Sequence, residues 1–448
     1  MTQLQLVLVF RTEFRKYTFP GLKRWFFFTV FGLATIAFGI ALVLKARPVT
    51  LISQFTWNML SWVADAVPPT VSGIVAISIG AFILFFSFFQ SNKRVLEVVA
   101  PGESSLIETL DRHHMQGKGF KLVAIGGGTG LSNMLRGLKV YTGNITAVVT
   151  VADDGGSSGR LRQSMNMVPP GDIRNCIAAL AHDDEVITQL FQYRFDDDAP
   201  EDLRKHSFGN LFLTALVELG GSNNMADAVK HACRILKARG QVLPISNEPM
   251  HLVAEMEDGS VVEGESHIPE AHGRIRHLSC KQAPKILPDV LTAVAEADLI
   301  ILGPGSLYTS IIPNLLVPEL PKAIMQSKAT KIYVCNMMTQ PGETDGYSVA
   351  DHIEAINRHI DKRPDEQLMD YVVVNNANPK KHQLERYEAD HQYPVDIDYA
   401  RLKKLGVQVY PTNLLQRGDL VRHNHRKLAK AVMQIFSREM TRPTLKTR

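Results

Sequence analysis

The sequence predicts an α/β protein with a doubly wound, mostly parallel sheet, a helical and β-hairpin insertion, and two transmembrane helices in front. Three observations carry this. Short β-branched runs alternate with helical periods over the later part of the chain. Glycine-rich or acidic strings follow those runs directly, where ligands bind in such sheets. Near the N-terminus, Trp25–Leu44 and Val71–Phe89 contain no ionisable side chain.

Each apolar stretch is long enough to cross about 30 Å of hydrocarbon as a helix. Arg11, Arg15, Lys16, Lys23 and Arg24 precede the first, and Lys93 and Arg94 follow the second. The connecting loop holds only Lys45 and Arg47. Basic residues stay in the cytoplasm, so the spans form a hairpin with both chain ends on that side. The expected organisation is a cytoplasmic segment 1–24, a first span 25–44, an extracytoplasmic loop 45–70, a second span 71–89, a linker 90–117 and a nucleotide-binding domain 118–440. The expected location is the inner cell membrane, multi-pass.

The chain has 448 residues and a net charge of +4, partly owed to the membrane-flanking residues. That balance does not call for nucleic acid. Cys176, Cys233, Cys280 and Cys335 are scattered without a CxxC spacing, as reduced core thiols would be. His113-His114 falls in the linker, and His267, His272 and His277 recur at fives, which is neither a helix face nor a zinc spacing. Asp196-Asp197-Asp198 suits a solvated loop.

In order along the domain, Lys121–Ile125, Ile145–Val151, Leu299–Leu302, Lys331–Val334 and Tyr371–Val374 have the pattern of buried parallel strands. Leu131–Leu138 and Leu287–Ala295 have helical periods between them. Asp172–Arg194, Phe208–Leu219 and Met225–Ala238 continue as helices. His251–Glu257 and Ser260–Glu265 flank Asp258-Gly259 as a hairpin over the cleft.

The chemistry sits in the loops. Gly126-Gly127-Gly128-Thr129-Gly130 lies between a strand and a helix, so its N–H groups and the helix dipole converge on a docked anion. It is neither GxGxxG, which needs glycine where Leu131 stands, nor a P-loop, which needs GK[ST]. Asp153-Asp154-Gly155-Gly156-Ser157-Ser158 offers paired carboxylates for ribose hydroxyls or Mg²⁺ beside a phosphate, with an N-cap and turn as the plain alternative. Asp172, Arg174 and Asn175 open one helix, and Arg suits bidentate phosphate contact. His206 to Asn210 opens another. Gly303-Pro304-Gly305-Ser306-Leu307-Tyr308 and Asn336 to Thr344 follow two further strands.

Together AIGGGTGLSNMLRGLK, TVADDGGSSGRLR, PPGDIRNC, SFGNLFLTAL, GPGSLYTSIIPNLLV and NMMTQPGETDGYS resemble the YvcK family of gluconeogenesis factors, within the broader CofD-like proteins. The resemblance runs in order from about Lys121 to about Phe436 and leaves the membrane hairpin outside it. It implies a Rossmann-like, CofD-like fold and a UDP-sugar ligand. It further implies a regulatory role, more binding protein than enzyme, in central carbon metabolism, cell-wall synthesis and cell shape. It would line the nucleotide cleft with Gly127, Gly128, Thr129, Gly130, Asp153, Asp154, Ser157, Ser158, Asp172, Arg174, Asn175, Asn210, Gly303, Gly305, Ser306 and Tyr308. Asp153 and Asp154 would be the metal-facing pair. The group's transferase, CofD, moves a phospholactyl-type group from a guanosine diphosphate carrier to a deazaflavin precursor with Mg²⁺. Its bulkier residues before the Ser-Gly are replaced here by Gly155-Gly156-Ser157, a departure from the transferase pattern, and a CofD-like transferase with Mg²⁺ stands as the alternative expectation. Protein partners and oligomeric state, homo-oligomers included, are left open.

Overall fold

The structure, a computed structural model, describes residues 28–37, 69–99, 119–181, 185–221, 224–363, 366–418 and 420–441. It divides into two compact units, Met1–His113 and His114–Arg448.

Among the described residues, ten strands build the second unit. In chain order they are β1 (Leu122–Gly126), β2 (Ile145–Val149), β3 (Gln241–Pro244), β4 (Leu252–Met256) and β5 (Val261–Glu263). Then come β6 (Ile275–Cys280), β7 (Leu299–Leu302), β8 (Thr330–Val334), β9 (Tyr371–Asn375) and β10 (Gln408–Thr412). Seven form one sheet in the order β10-β9-β8-β7-β1-β2-β3, with every neighbouring pair parallel. LVAIG, ITAVV and LIIL in β1, β2 and β7 are buried along their whole length, because helices cover both faces of such a sheet. The helix Gly128–Leu138 shows the fit: Leu131, Met134, Leu135 and Leu138 are all buried, at the i, i+3, i+4, i+7 spacing of a single face.

From β1 the chain moves one way to β2 and β3, then returns to β7 and continues the other way to β10. The order therefore reverses between β1 and β7. Loops leaving the carboxyl ends of those two strands flank a crevice, which is where doubly wound folds bind ligands.

The five expected strands are present with ends shifted by a few residues, and Ile145–Val151 pairs only as far as Val149. β3 and β10 escape a sequence reading because each carries a proline, Pro244 and Pro411. Both lie at the sheet's edges, where a missing N–H costs no ladder bond. The hairpin forms β4 and β5, antiparallel, and gains an unexpected third strand, β6, on the far side of β4. The helix expected over Asp172–Arg194 is two helices, Gly171–Leu180 and Glu185–Gln192. Ala181 leaves the helical region at ψ 148°, and the Leu180 carbonyl accepts the Arg239 N–H instead of continuing a helix. Asp196, Asp197 and Asp198 are exposed. All four cysteines are free, and three of them are buried.

The first unit contains the helices Phe28–Ala37 and Pro69–Val99. Gly73–Gln90 has mean hydropathy 2.1 and, by length and composition, can cross a membrane. Among the described residues no other helix is long and apolar enough. The expected first span is described only over 28–37; the rest of 25–44, the loop 45–68 and the linker over 100–118, His113-His114 included, lie outside the described residues. The second helix runs past the expected end of its span to Val99.

Candidate functional site

The glycine loop does two jobs. β1 ends at Gly126, Gly127 is extended, and the helix begins at Gly128 rather than Leu131. Gly128 sits at φ +65°, which a residue with a Cβ adopts only under strain. A side chain at Gly130 would strike the carbonyl of Pro304, so the turn after β1 and the turn after β7 are in backbone contact. The Gly128 N–H is engaged by the Asp172 carboxylate, which lies 2.6 Å from where a Cβ on Gly127 would stand. Burial, with the Asp153 charge beside it, pushes Asp172 up to about 6.

The acidic pair expected from the sequence parts company. Asp153 faces inward, accepting the Gly155 N–H at 3.0 Å and a hydrogen bond from Ser158, and burial holds it above its ordinary value. Asp154 turns to the small sheet: Oδ2 accepts the Glu265 N–H and Oδ1 the Ser266 N–H, each at 2.9 Å. Asp153 and Asp154 thus face different partners, the first within its own loop and the second on the small sheet. Among the described residues no three His, Cys, Asp or Glu are grouped to hold a metal ion. Arg162 anchors the loop from behind, donating to the carbonyls of Ala152 at 2.8 Å and Met250 at 2.7 Å.

Two more acids complete this end of the cleft, Glu265 from the hairpin and Glu343 from the loop expected over Asn336 to Thr344. Glu265, at the foot of the hairpin, is pushed up to about 8 by burial first and then by Asp153, Asp172 and Asp154. The foot of the hairpin meets the β2 loop through Asp154. Glu343 accepts the Tyr308 N–H at 3.1 Å, and burial pushes it up to about 7.

Ser157 gathers two partners. Its Oγ lies 3.0 Å from His206 Nδ1 and accepts from Asn210 Nδ2 at 3.0 Å. Ser207 caps the following helix through the Asn210 N–H at 3.3 Å. Arg174 donates to Asn175 Oδ1 at 2.8 Å, its stem packed where a Cβ on Gly209 would be. Burial lowers the Arg174 guanidinium, and Arg194 lowers it further. Three buried polar atoms here have no hydrogen-bond partner: Thr150 Oγ1, Arg174 Nε and Asn210 Oδ1. Such atoms cost about 1–3 kcal/mol each unless something satisfies them.

On the other flank, Ser306 accepts from Gln340 at 2.7 Å and Asn336 donates to the Gly305 carbonyl at 2.9 Å. The loops after β7 and β8 thereby act as one wall. Tyr308 lies inside that wall: it is fully buried, bonded to the Tyr347 hydroxyl at 2.8 Å, and its phenol is held well above its ordinary value by burial.

Beside this wall opens a cavity of about 490 Å³. Thr129 and Gly130 of the glycine loop form one side; Arg136, Arg422, His423 and His425 supply cations or imidazoles, and no acidic residue lines it. Met338 and Tyr387 give an apolar end. Thr129 and Gly130, and Asn336 to Gln340 from the loop after β8, were expected at a ligand cleft; Arg136, Arg422, His423 and His425 were not. The string Arg422-His423-Asn424-His425 follows no predicted strand, and it arrives because the helix His425–Thr441 packs on Gly128–Leu138. Another cavity, about 410 Å³, opens at the opposite end of the sheet near Lys121, Asn144 and Gln241, out of reach of every glycine and acid loop.

The site residues thus assemble at the carboxyl edge. Gly127 to Gly130, Asp153, Ser158, Asp172, Gly303 and Gly305 are brought to the β1/β7 crevice, with Ser157, Arg174, Asn175 and Asn210 adjoining. Asp154, Ser306 and Tyr308 hold the walls.

Residues 122–415 match the family model described as 2-phospho-L-lactate transferase CofD. A Nostoc sp. relative is 46% identical over 94% of this chain and 92% of its own length. The "Gluconeogenesis factor" of Bacillus subtilis is 45% identical over 70% of this chain and 98% of its own. A crystal structure from Bacillus halodurans, 43% identical, superposes with a TM-score of 0.67 over 70% of this chain and 99% of that one.

Proposed function

The chain belongs to the YvcK-type gluconeogenesis-factor family, built on a CofD domain, and on that premise we propose that it is a regulatory protein that binds a nucleotide sugar of the UDP class. Its role would lie in central carbon metabolism, cell-wall synthesis and cell shape, exercised from the cytoplasmic face of a membrane to which the N-terminal helices attach it.

One observation carries the ligand class: a cavity with cationic side chains and no acid, sharing Thr129 and Gly130 with the glycine turn. Arg136 and Arg422 suit a diphosphate, since guanidinium groups pair with phosphate oxygens through two parallel bonds. Tyr387 and Met338 suit the flat face of a base. The helix N-terminus at Gly128 adds its partial positive charge. Titration calorimetry with UDP-glucose and UDP-N-acetylglucosamine tests the reading on residues 119–441, which contain the whole family-model match over 122–415. Micromolar binding without turnover is expected; absence of heat with either ligand would overturn it.

A second reading, a CofD-like transferase acting with Mg²⁺, draws on Asp153, Asp172 and Glu265 meeting beside the crevice. Incubating the protein with the guanosine-linked donor, Mg²⁺ and the deazaflavin acceptor decides it. Product formation would move the protein to the enzymes.

A further inference from the structure

We propose that the helices Phe28–Ala37 and Pro69–Val99 pair with each other, in lipid, as a closed antiparallel hairpin whose outer surface, over Gly73–Gln90 of the second helix, faces acyl chains. This rests on the membrane attachment above and adds the residues through which the helices pair and the occupant of their outer face.

The pairing is written in three contacts. Thr29 Oγ1 and Ser87 Oγ lie 2.8 Å apart. A Cβ on Gly32 would meet Leu84 Cγ at 2.9 Å, and one on Gly80 would meet Ile36 Cγ1 at 2.6 Å. As the first helix advances from 29 through 32 to 36, its partners descend from 87 through 84 to 80, so the helices are antiparallel. Glycines at the crossing bring the two backbones close, as helix pairs need where lipid offers no hydrophobic drive.

The polarity is inverted relative to a water-soluble helix pair. Ser87 is fully buried, while Phe82, Phe85, Phe88 and Phe89 are 68%, 70%, 66% and 61% exposed. Only 17% of the Gly73–Gln90 window is buried, so it is no soluble core helix. Hydroxyls on the outer surface turn back onto their own backbone: Ser78 Oγ donates to the Ile74 carbonyl and Thr35 Oγ1 to the Phe31 carbonyl, each at 2.8 Å. Both hydroxyls are thereby satisfied within their own helices, which is the condition hydrocarbon imposes. Eighteen residues rise about 27 Å as a helix, close to the hydrocarbon thickness of about 30 Å. The occupant of the outer face is therefore lipid, and the glycine faces are used up within one chain. Antiparallel pairing puts the residues before Phe28 and those after Val99 on one side of the membrane.

The test uses the full chain in native membranes, with Thr29→Cys and Ser87→Cys introduced together, Cys280→Ser to remove the one native thiol that is not buried, and a protease site placed in the 45–68 loop. Oxidation followed by cleavage should leave an N-terminal tag joined to the remainder until reductant is added. The outward pair Phe31→Cys and Phe85→Cys should show no such link, and Gly32→Ile with Gly80→Ile should abolish it while the chain stays in the alkaline-carbonate pellet. Tags at the two chain ends should be shielded together from protease added outside cells. A disulfide-linked dimer, or a membrane-retained chain with no link, overturns the pairing; extraction by carbonate overturns the membrane attachment itself.

Discussion

The carboxylate of Asp154 accepts the backbone N–H of Glu265 at 2.9 Å, across 111 residues of chain. A loop of the parallel sheet thereby holds the foot of the antiparallel one, and the same contact sets Glu265 beside Asp153 and Asp172. Asp154→Ala should free the N–H groups of Glu265 and Ser266 and cost about 2–3 kcal/mol, as charge-assisted hydrogen bonds do. Hydrogen exchange should speed up over 261–270 and leave β1 and β2 unchanged. Uniform protection across the domain would refute this latch.

Charge reversal in the cavity should separate ligand binding from folding. Arg136→Glu and Arg422→Glu each remove a guanidinium from a lining without acids. Affinity for a UDP-sugar should fall about tenfold or more, equivalent to about 1.4 kcal/mol, and thermal midpoints should stay close to those of the parent. Calorimetry and circular dichroism on the same samples check both halves.

The glycine turn should respond unequally to a methyl group. At Gly128 the cost is conformational, about 1–2 kcal/mol for a left-handed residue with a Cβ. At Gly130 the added carbon meets the Pro304 carbonyl, so the β1 and β7 turns must separate. Gly130→Ala should therefore lower the urea midpoint more than Gly128→Ala does.

Acid should weaken the domain through His359. Its Nε2 accepts the Leu278 N–H at 2.8 Å and its Nδ1 bonds the Ala355 carbonyl at 2.7 Å, so the ring is neutral. Burial pushes it down to about 4 from 6.5. The unfolded chain takes up a proton below about 6.5 and the folded one refuses it until about 4. This contribution is present in full above pH 6.5 and is lost as pH falls toward 4, by about 3 kcal/mol in all at 1.36 kcal/mol per unit. Urea midpoints at pH 7 and pH 5 should differ less in His359→Gln than in the parent.

How much of the site was legible follows from where its signals lie. Gly126 to Gly130 announced itself because a strand, four glycines and a helix are neighbours in sequence. Asp153 and Asp154 were equally visible, but adjacent carboxylates at a turn point different ways, and one went to the small sheet. Glu265 carried no mark, since a glutamate after a hairpin suits solvent as well as a cleft. Arg422 was hidden more deeply, in a loop that only helix packing returns to Thr129.

The amino-acid pattern alone determined the inner strands, the reversing turns, the family and the apolar N-terminal runs, because apolar periodicity and glycine act through near neighbours. Tertiary structure alone decided that Asp172 meets Gly128, that Asp154 holds Glu265, and that arginines near both ends of the domain share one cavity. A hydrogen bond or a charge selects its partner by distance in space, and chain separation carries no information about that distance until the sheet has formed.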